Sequence, residues 1–120
     1  MATDPSQDIR DRTFRFACAV ASFVAGVDRP HQLRAILDQL LRSGTSIGAN
    51  LEEAKAASSR REFLRYVQIS LRESREARYW LRICADLHLA SDARLLPLID
   101  EAEQISRILG AIAVSTRKRF

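Results

Sequence analysis

A chain of 120 residues, 47% apolar and 28% charged, has the size and composition of one globular domain that builds its core without covalent staples. Four glycines and three prolines are too few for the turns of an all-β protein, and no apolar run approaches the roughly 20 residues that span a bilayer. The net charge of +4 comes entirely from residues 60–120, and it permits a polyanionic partner without demanding one.

Apolar residues recur with a period near 3.6 in four segments, and none shows sustained alternation. Asp4-Pro5 has the form of an N-cap followed by proline at the first helical position. A first helix is expected from there to about Ala25, with Ile9, Phe16, Ala17, Val20, Phe23 and Val24 facing inward. After a break at residues 26–30, a second helix is expected from Pro30 to Ala57, about 40 Å long. Its inward stripe is Leu33, Ile36, Leu37, Leu40, Gly44, Ile47, Leu51 and Ala54. Ser59-Arg60-Arg61-Glu62 has the form of a capping box and starts a third helix, with Phe63, Val67, Ser70, Ser74, Ala77, Leu81 and Cys84 inside. Ser91-Asp92 opens a fourth helix, in which Leu95, Ile99, Ala102, Ile105, Leu109 and Ile112 continue the pattern. Pro97 must lie in its first turn or kink it.

Short connections between long amphipathic helices make neighbours antiparallel, so the expected fold is all-α: an up-down-up-down four-helix bundle. Residues 1–120 are expected to form one domain with short flexible ends at about 1–5 and 117–120. The start of the chain has neither a basic stretch nor an apolar one, so a cytoplasmic protein is expected. Cys18 and Cys84 fall on apolar faces of two different helices and read as buried free thiols.

The second helix contains an anomaly. Gly44 and Gly48 sit inside its rhythm, and each costs roughly 1 kcal/mol relative to alanine, which close approach of a neighbouring backbone would offset. Beside them Gln39, Ser43, Ser46, Asn50 and Glu53 follow a 4-3-4-3 spacing along one edge. Three readings fit: a tight intramolecular seam in which Ser and Asn hydrogen-bond to a neighbouring helix, a subunit interface, or, least favoured, a ligand site. Phe14, Ile69 and Trp80 lie off the inward stripes, where an oligomer would bury them.

The third helix carries the clearest functional pattern. Arg61, Arg65, Gln68, Arg72, Arg75, Tyr79 and Arg82 repeat at 4-3 spacing opposite the core. Guanidinium forks match phosphate oxygens, and a tyrosine ring can stack on a base, so the stripe is a candidate nucleic-acid face. The alternative is a solvated face paired to Glu62, Glu73 and Glu76 along one flank. The basic tail, Arg117-Lys118-Arg119, would join this surface or fray. Enzyme signatures are missing: His31 and His88 stand outside any metal-ligand spacing, and no nucleophile–base pair or phosphate-cradling glycine loop occurs. No cofactor is expected.

Residues 39–54, then Ser59 and Glu62-Phe63, together with residues 69–76 and Tyr79-Trp80-Leu81, resemble the signature of the bacterial 23S rRNA-intervening sequence proteins. The resemblance spans about residues 9 to 115. It implies an antiparallel four-helix bundle assembled into a homopentameric ring, a cytoplasmic location and no enzymatic activity. A related branch, the accessory protein of diversity-generating retroelements, binds nucleic acid and a reverse transcriptase. The matching motif positions are Arg42, Ser43, Ser46, Asn50 and Glu53 on one helix, with Glu73, Glu76 and Trp80 on the next. Tyr66 and Ser70 depart from the Met- or Ala-like residues of that pattern. The expected partners are therefore a second copy of this chain, RNA or DNA, or another protein.

Overall fold

The structure is a computed structural model that describes residues 5–28 and 31–120, with side-chain environments from Asp8 onward. Four helices run through it: α1 (Pro5–Gly26), α2 (Arg34–Lys55), α3 (Arg60–Asp86) and α4 (Asp92–Arg117), with a short 3-10 turn at His31–Leu33. Each helix packs on its neighbours in sequence and α1 closes against α4, while the diagonal pairs do not meet among the described residues. Cross-helix contacts fix the directions. Val20 and Thr13 of α1 lie against Gly44 and Gly48 of α2, so one helix descends as the other ascends. Ser70 bonds to the Ile47 carbonyl and Arg42 to Glu73, while Ser74 meets Ser106 and Arg60 the Arg119 carbonyl. Arg12 meets Glu101, and Phe23 lies under Arg94. Every adjacent pair is antiparallel, as the short connections require. The 27 residues of α3, about 40 Å of helix, set the 47 Å long dimension.

The core follows the expected stripes, with Val20, Leu37, Leu40, Ile47, Val67, Leu81, Ile105 and Leu109 fully buried. Leu64 is buried and Phe63 only partly, so the first turn of α3 is rotated by one residue from the expected face. Five hydroxyl residues, Thr13, Ser43, Ser70, Ser74 and Thr116, lie in the interior, and each bonds to a carbonyl. That removes the penalty of roughly 1–3 kcal/mol for a buried unpaired polar group.

Ser59 caps α3 as expected: extended at φ −148°, it accepts from the Glu62 amide at 3.1 Å. The box is only half closed, because the Glu62 carboxylate takes its hydrogen bond from Ser58. The second helix is shorter than expected. Its first turn is the separate 3-10 segment, and its end comes at Lys55 because the extended Ser59 cap needs residues 56–59 as a turn. The readings on Asp4 and Pro30 lie outside the described residues. Pro97 sits in the second turn of α4, exposed, and the helix runs on through it. At the end of α3, His88 takes a left-handed φ of 54°, and the Leu89 and His88 amides close on the Cys84 and Ala85 carbonyls. This Schellman geometry usually employs glycine. Cys84 is buried as expected and burial pushes its thiol pKa up, but Cys18 is exposed on the outer side of α1, at the edge of the apolar stripe.

The glycines of α2 serve the contact with α1. A Cβ on Gly44 would meet Val20 Cγ1 at 2.9 Å, and one on Gly48 would meet the Thr13 backbone at 3.4 Å. Gly110 of α4 faces open space. Gly44→Ala is therefore expected to destabilise the protein by about 1 kcal/mol or more, because overpacking against buried Val20 outweighs the propensity gain. Adding Val20→Ala should recover part of that loss, whereas Gly110→Ala should stabilise by about 0.5–1 kcal/mol. Urea denaturation of the variants checks the order.

Candidate nucleic-acid interface on the third helix

All six candidate positions on α3, Arg61, Arg65, Arg72, Arg75, Tyr79 and Arg82, are exposed and share the face opposite the buried residues. The distance from Arg61 to Arg82 along the axis is about 32 Å. Among the described residues, Arg65, Arg72, Arg75 and Arg82 make no salt bridge and no side-chain hydrogen bond, and Arg61 only lies over the Phe120 ring at 6.0 Å. The glutamates that would have neutralised the stripe are engaged elsewhere. Glu73 and Glu76 turn to α2, where one guanidinium, that of Arg42, bridges both, with Nη1 at 2.9 Å from Glu73. Glu62 takes the Ser58 hydroxyl. The flank of α3 toward α2 is thus acidic and satisfied, and the outward face is cationic and unpaired.

The Arg42 bridge extends further. Glu76 also accepts from Trp80 Nε1 at 3.2 Å, and the Trp80 ring stands edge-to-face against Tyr79, with centroids 5.2 Å apart. Arg42, Glu76, Trp80 and Tyr79 therefore form a chain from the α2–α3 seam to the stripe. Hydrogen bonding to Glu76 raises the Arg42 pKa, and the same bond lowers that of Glu76 against opposing desolvation. Toward α4, Arg75 and Arg78 share a shallow depression with Arg107 and Glu103, which pair with each other at 3.0 Å. Arg78 lies outside the 4-3 spacing, so the sequence pattern alone did not mark it.

The second candidate group behaves differently. Ser43 is buried and bonds to the Gln39 carbonyl of its own helix at 2.8 Å; Ser46 bonds to the Arg42 carbonyl and Asn50 to the Ser46 carbonyl. None reaches the next helix, contrary to the expected seam, because a short side chain on a helix finds the carbonyl one turn back before it finds a neighbour. A hydroxyl that does cross between α2 and α3 sits on the other helix: Ser70 donates to the Ile47 carbonyl at 2.8 Å. Gly44 and Gly48 line the α1 contact within the chain. Glu53 is exposed and makes no ion pair among the described residues. Phe14 is 64% exposed, whereas Trp80 and Ile69 are half-buried.

Among the described residues no group of three or more His, Cys, Asp or Glu could hold a metal ion, and no helix is long and apolar enough to cross a membrane. The described residues form a helical bundle whose α3 carries an outward row of arginines without acidic partners.

The chain belongs to the 23S rRNA-intervening sequence protein family, whose model matches residues 6–111. It is also similar to a protein of unknown function from the S23 ribosomal protein family of Bacteroides thetaiotaomicron VPI-5482, solved by crystallography at 1.70 Å. The two share 28% identity and a TM-score of 0.82, over 88% of this chain and 97% of that one. A comparison with curated proteins gives no match.

Glu76→Gln is expected to lower stability by up to about 1 kcal/mol at neutral pH, since the pair is partly solvent-screened. A carboxylate with a lowered folded pKa contributes above its unfolded pKa and loses that contribution as pH falls through the folded value. The gap between wild type and variant should therefore close in acid, as read by denaturation at neutral and acid pH.

Proposed function

We propose that the protein is a non-enzymatic, homo-oligomeric bundle that binds RNA or DNA along the outward face of α3. The observation that carries this reading is the set of arginines at 4-3 spacing with no acidic partner. Holding like charges along one face is unfavourable unless a polyanion or its counterions compensate them, and releasing counterions is the main source of affinity for a phosphate backbone. A track of about 32 Å suits a single strand of several nucleotides. Tyr79, 55% exposed and steadied by Trp80, supplies the stacking element that arginines alone lack. Assembly with a second copy is supported by large apolar side chains more than half exposed, Phe14 on α1 with Leu96 and Val114 on α4. The same apolar side chains favour a second reading, a protein-interaction scaffold with no nucleic-acid role.

Short labelled RNA and DNA strands titrated from about 50 to 200 mM salt should bind with an affinity that falls linearly in log salt. Reversing Arg65, Arg72 and Arg75 to glutamate is expected to reduce the slope by about 2 and the affinity by at least about a hundredfold, with helicity unchanged. Tyr79→Ala should weaken binding by about 1–3 kcal/mol without changing the slope. Absence of binding at low salt would overturn the reading and favour the scaffold.

Light scattering on the eluting protein should give a multiple of the 13.6 kDa chain mass. Phe14→Asp should shift it toward one chain. An unchanged mass would remove Phe14 from the interface.

A further inference from the structure

At the end of the bundle where α2 passes into α3, the structure holds a cavity of about 500 Å³ that the arginine face does not include. It exists because the side chains at the turn are small. Ala54, Ala57 and Ser59 leave space between the ends of the helices that larger residues would fill. Its deep wall is apolar: Leu51 and Val67 are buried, and Phe63 and Ile112 half-buried. Among the described residues the charged groups around it are Arg10, Lys55, Arg60 and Arg119, and no acidic side chain lines it. Lys55, Arg60 and Arg119 are exposed, which puts positive charge at the mouth and hydrocarbon at the base. Arg60 Nη1 donates to the Arg119 carbonyl at 2.7 Å, holding the last residues against the start of α3, and leaves its other donors unused. Arg10, Lys55 and Arg119 make no ion pair among the described residues. Helix ends of both polarities meet here, so their dipoles largely cancel and the side-chain charges decide the sign of the field.

We propose that this cavity binds a single-chain amphipathic anion, a medium-length alkyl carboxylate, with the chain against Leu51, Phe63 and Val67 and the carboxylate at Lys55 and Arg60. The volume lies within the range of about 300–1,000 Å³ typical of small-molecule sites. An inorganic anion would leave the apolar wall wet, and a neutral hydrocarbon would leave the cations without a partner. Only a molecule with both parts matches both surfaces. The site is separate from the arginine stripe, so it stands or falls independently of nucleic-acid binding.

The test is calorimetric titration of the full chain with octanoate, decanoate and dodecanoate below their micelle concentrations. 1-Decanol and decyltrimethylammonium serve as neutral and cationic controls. Affinity for the carboxylates should rise about fourfold per added methylene until the cavity is full. Decyltrimethylammonium should bind least. The double variant Lys55→Glu, Arg60→Glu should weaken decanoate by about tenfold or more and leave decanol unchanged. Ala57→Trp, which fills the mouth, should abolish binding of both with the melting curve preserved. If no carboxylate binds at any length, or decanol and the ammonium bind as well as decanoate, the proposal is wrong. Unchanged decanoate binding in the charge-reversed variant would overturn it equally, even where the tryptophan variant fails to fold.

Discussion

Where Val20 lies against Gly44 there is no room for a Cβ, and the placement of α1 follows from that. A helix with two internal glycines is locally weak, by roughly 2 kcal/mol relative to alanines. Dispersion and apolar burial along the α1–α2 seam offset the deficit, because the Val20 side chain packs onto Gly44 and the Thr13 backbone comes close to Gly48. With α1 drawn onto α2, its adjacent flank meets α4, where Arg12 reaches Glu101 and Gln104 and Arg94 lies over Phe23. The ring of four helices closes through this step. So does the cavity at the α2–α3 turn, whose near wall includes Ile9 and Arg10 of the same helix.

Charge on α3 is sorted by direction. Glutamates on one flank are drawn into the α2 seam by the fork of Arg42, arginines point to solvent, and Arg78 adds charge toward α4. A helix with both signs mixed around its circumference would present a nearly neutral face. Here the acidic groups are consumed in building the fold, and the cations that remain act together at a distance set by ionic strength. The same pair of glutamates thus ties α3 to α2 and leaves the outward face of α3 cationic.

Helical periodicity carries information about which side of a helix turns inward, and on that count the four stripes, the Ser59 cap and the arginine face were legible. It says much less about which neighbour lies opposite. Gly44 and Gly48 announced a close approach, yet only the packing reveals α1 as the partner rather than a second subunit. Ser43, Ser46 and Asn50 looked like cross-helix donors because polarity at helical spacing is the same for a residue that bonds outward and one that bonds one turn back. Arg42 stood out only as a family-motif position, since its two partners are 31 and 34 residues away in sequence. The cavity had no sequence signature at all: it arises from small residues at a turn and from Ile9, Ile112 and Arg119, which converge only in three dimensions.

The two cysteines, one exposed and one enclosed, give the protein a built-in labelling chemistry. Cys84 is shut inside the bundle with its thiolate disfavoured by burial, whereas the Cys18 sulfur lies open on the outer side of α1. A maleimide probe added to the native protein will therefore report from a single defined point on each chain, with no engineered residue. That point is one helical turn from Phe14, so the separation between probes on neighbouring copies would measure the geometry of an assembly directly in solution.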